Sequence, residues 1–111
     1  MDHPPPPNDR LATLVSVLGD ADTRELVEIF LDSFSALLRD LGSSDPTVAE
    51  RAAHSLKSSA RQMGLSALSE RMAALEERLR CPGAAISPPE LISIADELEQ
   101  SAKPLQAYLK G

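Results

Sequence analysis

The chain has 111 residues, 42% hydrophobic and 25% charged, a size and balance that fit one globular domain with its own core and argue against overall disorder. Its net charge of −6 argues against nucleic acid as a partner, because phosphate backbones demand clustered Lys and Arg. One cysteine, Cys81, excludes an internal disulfide and fits a reducing compartment, and no apolar run approaches the ~18 residues of a membrane span.

The opening "MDHPPPP", residues 1–7, is read as a solvated, polyproline-like tail, since consecutive prolines remove backbone donors and favour extended chain. It has neither the basic nor the apolar region of a secretory signal, so a cytoplasmic address is expected. His3 within it has no chemically useful neighbours. Residues 8–111 are expected to form the folded domain. A short helix over Asn8 to Leu18 places Leu11, Leu14, Val15 and Leu18 on one side and ends at Gly19. The second helix is predicted to open at Asp22, with Glu25 three positions later as a D-x-x-E capping box, and to run to Leu41. Its apolar stripe is Leu26, Ile29, Phe30, Phe34, Leu37, Leu38 and Leu41.

"GSSDP" stops that helix and starts the third, with Asp45 as N-cap and Pro46 at the first helical position. The third contains His54 and ends near Gly64. The fourth carries Leu65, Leu68, Met72, Leu75 and Leu79 and halts at "CPG". The fifth opens on "SPPE", with Ser87 as cap and Glu90 completing a box, and Pro104 is expected to kink or locally break it. Short connections make neighbouring helices antiparallel. The predicted fold is all-α: an antiparallel up-down four-helix bundle with a short extra N-terminal helix. A coiled-coil dimer is the competitor, but Gly42, Pro46, Pro82 and Pro88 keep each apolar seam short.

On a wheel centred on His54, at about 100° per residue, Thr47, Glu50, Arg51, Lys57, Ser58 and Arg61 fall within about 60° of it. Ala52, Leu56 and Met63 occupy the opposite pole. His54 is therefore expected at the middle of an exposed face, not in the core. A neutral imidazole nitrogen can attack an electrophilic phosphorus, and Lys57 and Arg61 are placed to neutralise the oxygens that arrive with it. Glu50, one turn before His54, is placed to orient the ring by accepting the N–H of the non-attacking nitrogen. Glu50 and His54 do not make a metal site, since a di-metal bundle needs several inward Glu and E-x-x-H pairs. Cys81, in "RCPGAA", has no nearby His or Cys to activate it.

The stretch "AAHSLKSSARQMG" closely resembles the signature of histidine-containing phosphotransfer domains, roughly A-H-x-L-K-G-S-[SA]-x-[NQ]-[LIM]-G. Ala53, His54, Leu56, Lys57, Ser59, Ala60, Gln62, Met63 and Gly64 match in register, and the resemblance covers about Asp22 to Arg80. The resemblance implies that His54 carries the phosphoryl group, on the ring nitrogen far from the backbone. It implies that Lys57 stabilises its oxygens and that Gln62 supports the site. Ser58 stands where the family usually has Gly; it is small, and its hydroxyl can donate to a phosphoryl oxygen. Arg51 and Arg61 read as docking contacts.

Phosphoryl transfer needs in-line positioning and charge neutralisation more than covalent machinery. The chain has no P-loop, no Gly-rich nucleotide loop and no carboxylate cluster for Mg²⁺. No ATP-dependent kinase activity and no cofactor of its own are expected; by resemblance, Mg²⁺ comes from the partner receiver domain. The implied function is a phosphorelay intermediate that takes the group from one receiver aspartate and passes it to another. The implied partners are response-regulator receiver domains and a hybrid histidine kinase, without nucleic acid or membrane, and the protein is expected to be a monomer. An initiating Met and the short length suggest a free-standing carrier. The alternative is a helical adaptor that binds a signalling partner without phosphotransfer, with Ser58 as its main support.

Overall fold

The computed structural model describes residues 4–110, so the reading of His3 lies outside the described residues. Six helical segments follow in order: α1 (Asp9–Leu18), α2 (Asp20–Asp32), α3 (Phe34–Leu41), α4 (Pro46–Gln62), α5 (Ser66–Leu79) and α6 (Pro88–Lys110). No strand occurs among the described residues. The two short segments α2 and α3 together make the second rod of the bundle. Ser33 between them keeps right-handed helical angles, φ −78° and ψ −13°. Its hydroxyl, however, donates back to the Phe30 carbonyl at 2.6 Å, which draws that carbonyl away from a regular ladder. The rod resumes when the Leu37 N–H reaches the Ser33 carbonyl at 3.0 Å.

Two local expectations are corrected. The capping box at Asp22 and Glu25 is not formed, because α2 already begins at Asp20. Gly19, with φ 89°, turns the chain in a single residue, so Asp22 falls inside the first turn, where its charge faces the positive end of the helix dipole. Nor does Pro104 break α6, which runs unbroken from Pro88 to Lys110. Pro104 and Gln100, whose carbonyl loses its usual donor, are both exposed, so water can satisfy that carbonyl.

Where the signals were local, they hold. Asp45 accepts the Thr47 N–H at 2.9 Å, with Pro46 in the first turn. Ser87 accepts the Glu90 N–H at 3.3 Å, although the Glu90 carboxylate takes Arg78 instead of completing the box. The end of α4 is a Schellman motif: Leu65 N–H to Ala60 O at 2.8 Å and Gly64 N–H to Arg61 O at 3.1 Å. Gly64 has φ 78°, the left-handed region that favours glycine.

The core explains the position of the site. The inner side of α4 is Ala49, Ala52, Ala53, Leu56 and Ala60, all buried. So many alanines let the α5 backbone approach closely, and the buried Ser69 hydroxyl on α5 donates to the Lys57 carbonyl at 3.0 Å. Leu68, Met72, Leu75 and Leu79 fill the α5 side. Ile29, expected on the inner stripe of the second rod, is instead 58% exposed, because α2 buries Thr23, Val27 and Phe30 and Ile29 lies about 200° around the helix from Val27. Leu18 is likewise exposed at the end of α1.

The ends are tied by polar contacts. Asn8 caps α1 through Leu11 N–H at 2.9 Å and donates to the Met63 carbonyl at 2.8 Å, pinning α1 to the end of α4. At the other terminus the Arg24 guanidinium donates to the carbonyls of Tyr108 at 2.6 Å and Leu109 at 3.0 Å, closing α6 onto α2. The molecule spans 52 × 22 × 19 Å, so a residue midway along α4 lies on the flank of a rod, far from either looped end.

Candidate functional site

The alanine face of α4 is consumed by packing against α5, which leaves the opposite side of the helix to solvent. Arg51, His54, Ser55, Ser58 and Arg61 are all exposed there, and the His54 side chain retains 60% of its free surface. The ring is nevertheless held. Its Nδ1 donates to Oε2 of Glu76 on α5 at 2.6 Å, and Lys57 Nζ donates to Oε1 of the same carboxylate at 2.7 Å. Arg80, the C-cap residue just past α5, approaches Glu76 Oε2 at 3.4 Å and donates through Nε to Glu50 at 3.0 Å. Because α4 and α5 run antiparallel, successive turns of one meet successive turns of the other, and the five side chains form a chain across the seam.

Glu76 is the electrostatic centre of this group. Its side chain is only 6% exposed. The hydrogen bond from Lys57 holds its carboxyl below the usual 4.5; burial opposes this, and the His54 hydrogen bond reinforces it. At neutral pH Glu76 is therefore ionised and can only accept, so the contacting Nδ1 carries a proton. In the neutral ring the lone pair is then on Nε2, the nitrogen not occupied by Glu76.

The residues expected from sequence separate in space. Thr47, Glu50, Arg51, His54, Ser55 and Glu76 line one open concavity of about 380 Å³. The contact expected between Glu50 and the imidazole is replaced by Glu76, because Glu50 is engaged by Arg80. Lys57 lies beside the ring but on Glu76. Ser58 is exposed on the same side of α4 as His54. Gln62 lines a separate shallow groove with Leu26, Ile29, Phe30, Ser33, Ser59 and Met63, and Arg61 a third depression beside Glu70.

Glu76 itself was not among the expected site residues. A signal for it exists: it falls four residues after Met72 and three before Leu79, on the apolar stripe of α5, where a charge requires a partner. Among the described residues, no group of three or more His, Cys, Asp or Glu side chains is arranged to hold a metal ion. No helix among them is long and apolar enough to cross a membrane.

A half-exposed nucleophilic nitrogen, backed by a carboxylate and an ammonium on a helical rod, is suited to carrying an electrophilic group between partners. The family model for the Hpt domain matches residues 25–104, which include the whole of α4 and α5. No curated protein and no solved structure matches the chain. The chain belongs to the Hpt domain family, the histidine-containing phosphotransfer domains that work in two-component phosphorelays with receiver domains and hybrid kinases.

Proposed function

We propose that the protein is a phosphorelay carrier in which His54 accepts a phosphoryl group on Nε2 from a receiver-domain aspartate and passes it to a second one. The observation that carries this reading is the His54 ring itself: 60% exposed, midway along α4, with Nδ1 engaged by Glu76. Nε2 is then the nitrogen available to an incoming phosphorus. Lys57 and the Ser58 hydroxyl supply donors for the phosphoryl oxygens, and Glu50 acts on the ring's surroundings through Arg80. Gln62 supports the end of α4 and its flanking groove. Arg51 and Arg61 meet the acidic pocket of the receiver, which also brings the Mg²⁺. The carrier works as a monomer in the cytoplasm, without kinase activity of its own.

The test is incubation with a radiolabelled phosphorylated receiver domain. An acid-labile, base-stable label is expected on the wild-type protein and absent from His54→Gln. Label on His54→Gln would overturn the assignment of the acceptor. No label from any receiver of the source organism would leave the adaptor reading, for which Ser58 in place of the family glycine is the supporting observation.

A further inference from the structure

We propose that the solvent-facing edge of α2, Ile29 with the carboxylates of Glu25, Glu28 and Asp32, selects which receivers transfer to His54. It favours those whose apolar docking patch is bordered by Lys or Arg on the side away from their acidic pocket. The proposal deepens the carrier reading and rests on it for the kind of partner.

The outer surface of α2 changes character at Ile29. With Ile29 as zero on a wheel of about 100° per residue, Ser33, Leu26 and Phe30 fall about 40°, 60° and 100° to one side. Glu25, Asp32 and Glu28 fall about 40°, 60° and 100° to the other. Leu26, Ile29, Phe30 and Ser33 line the groove that α2 shares with Ser59, Gln62 and Met63 at the end of α4. Ile29 itself is 58% exposed, and Glu25, Glu28 and Asp32 are exposed beyond it. From α4 outward the flank therefore runs from cations through an apolar groove and an apolar ridge to anions.

The fold does not account for the anionic strip. Glu25 and Glu28 are three residues apart and Glu28 and Asp32 four, spacings at which like charges repel on a helix face. None of the three forms an ion pair among the described residues. Arg24, the one cation of α2, is turned instead to the carbonyls of Tyr108 and Leu109. At the seam of α5 and α6, by contrast, carboxylates are matched: Glu97 takes Arg71 and Glu90 takes Arg78. α2 thus keeps three mutually repelling charges beside an exposed apolar side chain, and a docking partner can supply the missing counter-charges. A receiver that enters with its acidic pocket over His54, Arg51 and Arg61 can lay an apolar patch on the groove and Ile29. Cations just beyond that patch then meet the strip. A receiver with carboxylates there meets like charges, which is how a surface rejects a wrong partner.

The test compares wild type with two triple variants, Glu25→Gln/Glu28→Gln/Asp32→Asn and Glu25→Lys/Glu28→Lys/Asp32→Lys. Each is incubated with the phosphorylated receiver domains of the source organism, taken singly. For the receivers that serve the wild type best, the lysine variant should raise KM about tenfold with kcat within about twofold, and the amide variant should fall between. The order of preference among receivers should change. The amide variant should melt no lower than wild type, because it removes repulsion, so its loss of transfer is not a loss of fold. Phosphoramidate, a small phosphoryl donor whose P–N bond breaks to release ammonia, needs no docking surface and should label His54 of all three proteins equally. Slower labelling of the variants would put the strip in the chemistry and overturn the proposal. A wild-type dimer in sedimentation velocity that the lysine variant abolishes would also overturn it, since the strip would then belong to a second copy. No transfer to the wild type from any receiver would overturn the carrier reading, and this proposal with it. Transfer to the wild type that the lysine variant leaves undisturbed, in KM and in receiver order, would overturn the proposal alone.

Discussion

At the scale of single residues, the site depends on keeping a charge where water hardly reaches it. Glu76 is tolerated because Lys57, His54 and Arg80 all turn donors toward it. Because this environment places its folded-state pKa below the usual 4.5, the linked stabilisation is complete above that pH and is lost as the pH falls through the folded value. Glu76→Gln should therefore be less stable than wild type by about 1–3 kcal/mol at pH 7, where an unsatisfied partner remains. The gap should close on acidification below 4.5, as the wild-type carboxyl takes up its proton. Urea denaturation of both proteins from pH 7 to pH 3 checks this, and a gap independent of pH would show that the charge is not what stabilises. His54 and Lys57 were legible in the sequence because they share one helix face, where spacing alone places them. Glu76 is 22 residues from His54, and its pairing depends on the register of two helices, which a wheel drawn on one of them does not contain.

At the scale of elements, boundaries were legible where one residue type performs one local task. Asp45 with Pro46, and Ser87 ahead of Pro88, mark the starts of α4 and α6 because a cap and a proline act within one turn. The start of α2 was misplaced because Gly19 needs no side chain to turn the chain, so a plausible acidic cap further on drew the boundary to itself. The break at Ser33 escaped because serine is tolerated inside helices and only its rotamer decides whether it bonds backward. The end of α4 offers the sharpest test at this scale. A Cβ on Gly64 would meet a strained backbone at φ 78° and collide with Oδ1 of Asn8, the side chain that ties α1 to Met63. Gly64→Ala should cost about 1–3 kcal/mol, a combination of left-handed strain and loss of that tie. In the background of Asn8→Ala the same change should cost less, because the colliding side chain is gone. Thermal unfolding of the two single variants and the double variant reads the coupling; strict additivity would mean that α1 and the end of α4 are not joined through Asn8.

At the scale of the whole molecule, the charge of −6 conceals a flank of opposite character. Of the cations around His54, Lys57 is neutralised by Glu76 and Arg80 is shared by Glu50 and Glu76. Arg51 and Arg61, exposed on the same helix, form no ion pair among the described residues. They are therefore the charges that an approaching acidic pocket would feel, while the acidic remainder of the surface disfavours other orientations. Fields between exposed charges fade over about 10 Å at 0.1 M salt, so guidance of this kind is a rate effect that ionic strength removes. Transfer from a phosphorylated receiver should slow as salt rises from 0.02 to 0.5 M, taken here as roughly a fivefold shortening of the screening length. Replacing Arg51 and Arg61 together by alanine should lower the low-salt rate about tenfold and flatten its dependence on salt. Labelling by phosphoramidate should be unchanged in the same double variant, since neither arginine hydrogen-bonds the ring or Glu76. Stopped-flow transfer rates across a salt series, run beside the phosphoramidate reaction, separate docking from chemistry. A double variant with the wild-type salt slope would remove these two arginines from docking, and one that also labelled slowly would place them in the transfer step itself.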